Sequence, residues 1–217
     1  MRRISIRGSL FSVIEDGVRT SLFNADFVDL VIVDAASISR VYYAGEYEQN
    51  VQKPPTCWSI DNQRPAQGVP KQDQQALRCL DCTHNIRGSG RNRGRACKFI
   101  QHLAVAFDGQ LDKVYRLKLP ATSIYGKTQR GHMPMQQYVN FLSSRGSKAT
   151  CILTRVYFDE LSNIPKLFFK PVRSLTEEEK STVGETSSHT STYMATSFIV
   201  ENSSPFKELS GFEINAT

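Results

Sequence analysis

Apolar and polar positions alternate through the first 45 residues, and this pattern predicts β-structure. The alternation runs through residues 4–14 and stops at Asp16-Gly17, a dipeptide typical of two-residue hairpin turns. Residues 22–27 continue the β-like pattern. A continuous apolar run at 28–33 predicts a buried strand, and residues 41–43 predict a shorter one.

The pattern returns after residue 100 and predicts a second β-region with one helix. Residues 102–107 and 113–119 flank Asp108-Gly109 and predict a hairpin. In its second strand Val114, Arg116 and Lys118 alternate with apolar positions, which predicts one polar face. Helical periodicity over 134–145 begins at a proline and stops before a glycine. Residues 149–158 and 166–173 predict two further strands.

The last 44 residues differ from the body in composition. Ser174 and Glu177 have the spacing of a capping box and predict a short helix. Ten of the seventeen residues from 181 to 197 are Ser or Thr, which predicts a mobile linker. Apolar residues return in the last twenty positions and are predicted to dock on the body, on a second copy of the chain or on a partner.

These elements predict a mainly β, α+β fold, an OB-like Greek-key barrel with one helix. A β-sandwich with one helix would use the same pieces. Residues 48–98 contain four prolines and few aliphatic side chains, so they are predicted to form an insertion without a core of their own. The predicted domains are therefore 1–175, with the insertion at 48–98, and an acidic tail at 176–217.

Charge is distributed unevenly along the chain. The net charge is +6, and residues 174–217 carry seven Glu and two Lys, so residues 1–173 carry +11. A basic body favours a polyanionic ligand, with nucleic acid first among them. No apolar run reaches the ~20 residues of a membrane span. The basic N-terminus lacks the apolar core of a signal peptide, so we expect a reducing compartment, the cytoplasm.

Four cysteines have the spacing C-x21-C-x2-C-x14-C: Cys57, Cys79, Cys82 and Cys97. A C-x-x-C step brings two thiolates to one ion, and two more complete the tetrahedron of structural Zn²⁺. The sequence therefore predicts a closed structural zinc site. Disulfides or unrelated buried thiols are the alternatives, and His84 is an alternative ligand. Cys151 lies in an apolar strand and is left out of the site.

The loop between the last two cysteines contains no Asp or Glu and is rich in glycine and arginine. Its cations are predicted to contact phosphates, with help from Lys113 on the second hairpin. The predicted phosphate contacts are Arg87, Arg91, Arg93, Arg95, Lys98, Arg116 and Lys118. Trp58 and one of Tyr42 or Tyr43 are predicted to stack on bases, because neighbours on a strand face opposite ways.

Three functions fit these features. The first is a sequence-tolerant single-stranded DNA-binding protein that is not an enzyme. The sequence does not separate DNA from RNA. The second is an interaction module that inhibits or adapts a host factor. The third is a zinc-stabilised nuclease, although the four histidines are scattered and no Walker-type loop is present.

Seven stretches resemble a family of bacteriophage early proteins described as single-stranded DNA-binding proteins. They are residues 31–35 (VIVDA), 39–45 (SRVYYAG), 57–59 (CWS), 79–82 (CLDC), 94–97 (GRAC), 117–123 (LKLPATS) and 169–172 (FKPV). The resemblance implies an OB-like core and a role in phage DNA replication or recombination in the host bacterial cytoplasm. We expect the tail to recruit replication or recombination proteins. Its apolar segment permits a homo-oligomer without requiring one.

Overall fold

A computed structural model describes residues 1–7, 9–21, 26–45, 54–128 and 131–198. Its strands are β1 (Arg3–Arg7), β2 (Leu10–Glu15), β3 (Val18–Ser21), β4 (Phe27–Ala35), β5 (Ser39–Tyr42), β6 (Cys57–Ser59), β7 (Lys98–Phe107), β8 (Gln110–Pro120), β9 (Ile152–Phe158) and β10 (Leu167–Ser174). Its helices are α1 (Ala121–Ile124), α2 (Met135–Ser143), α3 (Glu177–Ser187) and α4 (Thr190–Thr196). Short 3-10 turns lie at Lys71–Asp73, Thr83–Asn85, Arg91–Arg93 and Ala149–Cys151. The mainly β, α+β prediction is confirmed.

The strands form one mixed ten-stranded sheet in the order β10-β9-β4-β7-β8-β1-β2-β3. Strand β5 pairs with both β6 and β7, so the insertion extends from one end of β7. The pairing of β1 with β8 is parallel, and the other strand pairs are antiparallel. Phe11 on β2 contacts Phe158 on β9, with 4.4 Å between ring centroids. Four strands lie between β9 and β2 in the sheet order, and a flat sheet would keep these two strands far apart. The contact between Phe11 and Phe158 therefore shows that the sheet curls strongly.

The main core fills the inside of this curl. Leu30, Leu103, Leu117 and Phe169 are fully buried there. Helix α2 closes the core with Met135, Tyr138 and Leu142 on its inner face. The helix begins after Pro134 and ends before Gly146, as the periodicity predicts.

Both predicted hairpins are present. Asp16 and Gly17 have φ values of 48° and 83°, which a two-residue hairpin turn between β2 and β3 requires. Asp108-Gly109 joins β7 to β8. The predicted strand residues 22–25 lie outside the described residues.

The C-terminal region is where the structure departs most from the sequence prediction. Residues 181–197 are not a mobile linker, because α3 and α4 pack on the outer face of the sheet. Val183 and Ala195 are buried there against Val31, Ala104 and other small apolar side chains. The capping box lies two residues later than predicted. Thr176 Oγ1 accepts from the Glu179 amide, and the Glu179 carboxylate accepts from the Thr176 amide.

Candidate nucleic-acid interface

The four predicted zinc ligands meet at one small cavity in the insertion. Cys57, Cys79, Cys82 and Cys97 line a cavity of about 20 Å³. Cys57 lies on β6, and Cys97 directly precedes β7. The other two flank a short segment that leads into the turn at Thr83–Asn85. The sequence spacing therefore brings together residues that are 40 positions apart.

Backbone hydrogen bonds hold these cysteines in place. The Cys79 amide donates to the Gln63 carbonyl at 2.8 Å, and the Cys97 amide donates to the His84 carbonyl at 2.9 Å. The Cys82 carbonyl accepts from the Asn85 amide at 2.9 Å. The bonds to Gln63 and His84 join Cys79 and Cys97 to other parts of the insertion, and the Cys82 bond closes the turn at Thr83–Asn85.

All five cysteines are free thiols in this structure, and no disulfide joins any of the four predicted ligands. Burial, opposed by the Arg40 charge and aided by the other three thiols, raises the pKa of Cys97 to about 11. Burial also raises the pKa of Cys57. In the part of the chain that the structure describes, no set of three or more His, Cys, Asp or Glu side chains stands in metal-holding geometry. The zinc site stays a prediction.

Arg40 joins the insertion to the sheet, and the sequence analysis gave it no role. Its side chain is buried on β5 and donates to Asn62 Oδ1 at 3.0 Å and to Asn85 Oδ1. Its guanidinium lies 4.2 Å from the ring centroid of Phe99 on β7. The sequence signal for this role is an arginine between Ser39 and Val41 in a short strand. Such an arginine is predicted to be buried, and a buried charge needs hydrogen-bonding partners.

The glycine-rich loop between Cys82 and Cys97 has a defined conformation. The Gly88 and Gly90 amides both donate to the Gly94 carbonyl, at 2.9 and 3.0 Å. Ser89 Oγ accepts from the Ala96 amide at 3.1 Å. A Cβ at Gly90 would lie 2.7 Å from the backbone of Arg95 and Ala96, so only glycine fits. The loop is a folded platform for its arginines.

The predicted phosphate contacts on this platform all face solvent. Arg87, Arg91, Arg93, Arg95 and Lys98 are exposed. Arg95 Nε donates to the Asn85 carbonyl at 2.6 Å, so this side chain is partly engaged. The other four cations make no ion pair within the described residues. Four unpaired positive charges therefore lie next to the cysteine cavity.

The predicted stacking residues differ in the contacts that their rings make and in the exposed fraction of their side chains. Tyr42 stacks on His84 with 4.0 Å between centroids, and His84 Nε2 lies 3.1 Å from Gln75 Oε1. One face of the Tyr42 ring is thus covered by His84 inside the insertion. Tyr43 is 44% exposed. Trp58 is half-buried beside Gly68, and Phe198 lies nearly parallel to it with 6.4 Å between centroids.

Arg116 is not a phosphate contact, and this prediction is corrected. Its side chain is 7% exposed beneath α4. Its guanidinium donates to the carbonyls of Ala195 at 2.8 Å, Ser197 at 3.0 Å and Met194. A cation stabilises a helix C-terminus by meeting its unpaired carbonyls. Lys118 is exposed on the same strand face.

Lys113 is also occupied. Its ammonium lies 2.9 Å from a carboxylate oxygen of Glu15, and it approaches the Tyr115 ring at 5.7 Å. Lys113 lies on the opposite face of β8 from Arg116 and Lys118, and Arg116 on the predicted polar face is covered by α4. The basic loop of the insertion keeps the exposed positive charge that was predicted.

Comparisons with protein-family models, curated proteins and solved structures found no match to this chain. The resemblance to phage single-stranded DNA-binding proteins therefore stays a prediction. Among the described residues, no helix has the length and apolar character needed to cross a membrane.

Proposed function

We propose that this protein binds single-stranded nucleic acid with little regard to sequence, through the basic loop of its insertion. The observation that carries the proposal is a folded loop that begins and ends at the cysteine cavity and carries three exposed arginines without an ion pair among the described residues, followed directly by the exposed Lys98 on β7. Arginines of a folded loop lose less conformational freedom on binding than those of a flexible one. Trp58, which is half-buried, and Tyr43, which is 44% exposed, would stack on bases.

A structural Zn²⁺ held by Cys57, Cys79, Cys82 and Cys97 is part of this proposal. The donor set is right for zinc, because thiolates are its common structural ligands. A free volume of about 20 Å³ suits a single ion rather than an organic ligand. The metal would fix the platform and take no part in chemistry. An OB-like barrel and a replication or recombination role in an infected bacterium complete the proposal.

The test is fluorescence anisotropy of labelled (dT)20, with duplex of the same sequence as competitor, at two salt concentrations. We expect single strands to compete better than duplex. The double variant Arg91→Glu/Arg93→Glu should weaken binding at least ten-fold. Each lost phosphate contact should lower the slope of log affinity against log salt by about 0.7.

The matched control is Lys127→Glu/Lys148→Glu, which makes the same charge change at two exposed lysines outside the insertion. It should retain most of the affinity. Equal loss in both double variants would contradict a loop-centred site, since it would reflect net charge alone. Metal-dependent cleavage of the oligonucleotide in the same samples would favour the nuclease.

A second candidate is an interaction module, and exposed apolar side chains favour it. Leu77, Leu80 and Ile86 on the insertion are 87%, 69% and 62% exposed. Exposed apolar side chains grouped on one segment are typical of protein-binding surfaces. A partner captured from host lysate after nuclease treatment, and lost with Leu77→Ser/Leu80→Ser, would support this function.

A further inference from the structure

Three aromatic residues form a row across neighbouring strands at the β10 edge of the sheet. Phe27 on β4 pairs with Tyr157 on β9, and Tyr157 pairs with Phe168 on β10. Directly opposed residues of antiparallel strands project to the same face. The centroids of Tyr157 and Phe168 are 6.0 Å apart. The sequence analysis missed this row because its members are 130 and 11 positions apart.

A cationic side chain lies close to each of the three rings, and a histidine lies close to two of them. The Arg155 guanidinium lies 3.7 Å from the Phe27 centroid, and the Lys166 ammonium lies 4.4 Å from that of Phe168. Lys170 approaches Tyr157 at 6.0 Å. His132 lies against the row, with its Nδ1 2.9 Å from the Tyr157 hydroxyl. Cationic side chains therefore lie next to the rings of the row.

Some of these side chains are engaged in ion pairs within the protein, and others are exposed to solvent. Arg155 pairs with Asp29 and Lys166 pairs with Asp159, each at 2.7 Å. Lys170 is exposed and makes no ion pair within the described residues. Phe27 is 40% exposed, and His132 is exposed beside Phe168. Part of Phe27, the His132 side chain and the Lys170 ammonium are thus exposed to solvent.

The row lies on the same face of the sheet as Trp58. Phe27 alternates along β4 in step with Val31, which is buried with α3 and α4. Trp58 pairs with Val41, and Val41 pairs with Lys98, which alternates in step with Ala104 of the same cluster. Strand alternation therefore directs both aromatic groups to the side that carries α3 and α4.

We propose that Phe27, Tyr157, His132 and Lys170, which surround the buried ring of Phe168 and are here called the aromatic row, form a second contact for the same single strand. Bases would stack on Phe27 and on the His132–Tyr157 pair, and Lys170 would meet a phosphate. Alternating rings and cations suit single-stranded nucleic acid because every base has a stacking face and every nucleotide a charge. This inference rests on the proposed function.

Strand geometry sets the length of ligand that reaches both contacts. Nine residues separate Lys98 from Phe107 on β7, and Phe27 lies three residues beyond the partner of Phe107. At ~3.3 Å per residue, the path is about 40 Å along the strands. A stacked strand rises about 3.4 Å per nucleotide, so roughly 12 nucleotides span it.

The experiment compares (dT)6 with (dT)20 by anisotropy, and repeats the longer probe as (rU)20. Phe27→Ser and Lys170→Glu change exposed side chains, so the fold should persist. Each should weaken (dT)20 binding about five- to ten-fold and (dT)6 binding less. Tyr157→Phe keeps the stacking surface and should bind within two-fold of the unchanged protein. Lys148→Glu is the charge control.

The outcomes separate this inference from the proposed function. Loss with both loop and row variants supports the two together. Loss with Arg91→Glu/Arg93→Glu but not with Phe27→Ser or Lys170→Glu overturns the aromatic row and leaves the proposed function. Loss with the row variants alone supports the row and overturns the basic loop. Absence of binding by the unchanged protein overturns both.

Discussion

The curled sheet and the cysteine-lined insertion are held together by different forces. The sheet buries large apolar side chains completely, among them Leu30, Leu103 and Phe169. Within residues 54–97, Val69 is the buried aliphatic side chain, while Leu77 and Leu80 face solvent. The insertion therefore depends on backbone hydrogen bonds and on Arg40, and under the proposed function also on zinc. A chain can thus attach a functional platform to a stable core without extending that core.

The largest expected difference between the two regions follows metal removal. A strong zinc chelator, or Cys82→Ser, should unfold the insertion and leave the sheet folded, because structural zinc in small sites contributes on the order of 10 kcal/mol. Hydrogen exchange read by mass spectrometry, with elemental analysis for zinc, measures this. Unchanged protection of residues 54–97 in metal-free protein would contradict the zinc site.

Truncation of the sheet core should have the opposite pattern. Phe169 is fully buried, so Phe169→Ala should lower the free energy of global unfolding by about 3–5 kcal/mol. Val172→Ala, at a 43% exposed position of the same strand, is the control and should cost less than about 0.5 kcal/mol. Urea unfolding followed by far-ultraviolet circular dichroism compares the two. Equal costs would contradict the packing described for β10.

Acid should weaken the sheet through His102. Burial first, and the Arg116 and Lys118 charges second, lower the pKa of His102 to about 4. The unfolded chain takes up this proton near pH 6.5, before the folded protein does. Unfolding free energy should therefore fall between pH 6.5 and 4, by up to about 3 kcal/mol.

Comparison of the unchanged protein with His102→Gln isolates this effect, since carboxylates titrate in both. Urea unfolding at pH 7.5, 5.5 and 4 gives the pH dependence of each. The variant should lose less stability on acidification. Parallel curves would show that His102 is not buried as a neutral ring.

The smallest effect is expected at the joint between the two regions. Arg40→Lys keeps the charge but loses one of the two asparagine contacts and the planar stack on Phe99. Hydrogen exchange in residues 54–97 should accelerate by a factor equivalent to about 1–2 kcal/mol, with the sheet unchanged. Equal acceleration in both regions would mean that Arg40 supports the core rather than the joint.

Local patterns predicted much of the sheet. The hairpins at Asp16-Gly17 and Asp108-Gly109 follow from turn chemistry, and the helix after Pro134 follows from periodicity. The Ser/Thr-rich stretch could not be predicted in this way. Its helices form because Val183 and Ala195 find an apolar sheet face, a tertiary effect that composition does not contain.

In the candidate site, too, local sequence patterns predicted some features, and the features that depend on tertiary packing could not be predicted. Cysteine spacing predicted a common location, because short steps and loops restrict where thiols meet. Alternation placed Arg116 opposite the core, but it gave no information on what covers that face. The aromatic row depends on pairing between strands far apart in sequence, so no local pattern contains it.

The three-residue strand β6 has a consequence for spectroscopy. Cys57 and Trp58 are neighbours there and point to opposite faces, one toward the cysteine cavity and one toward Phe198. Trp58 is the one tryptophan in the chain. The protein thus carries an intrinsic fluorophore that is the sequence neighbour of one thiol of the cysteine cavity. The fluorescence of Trp58, without an added label, can therefore report changes at the cavity and ligand binding in the same titration.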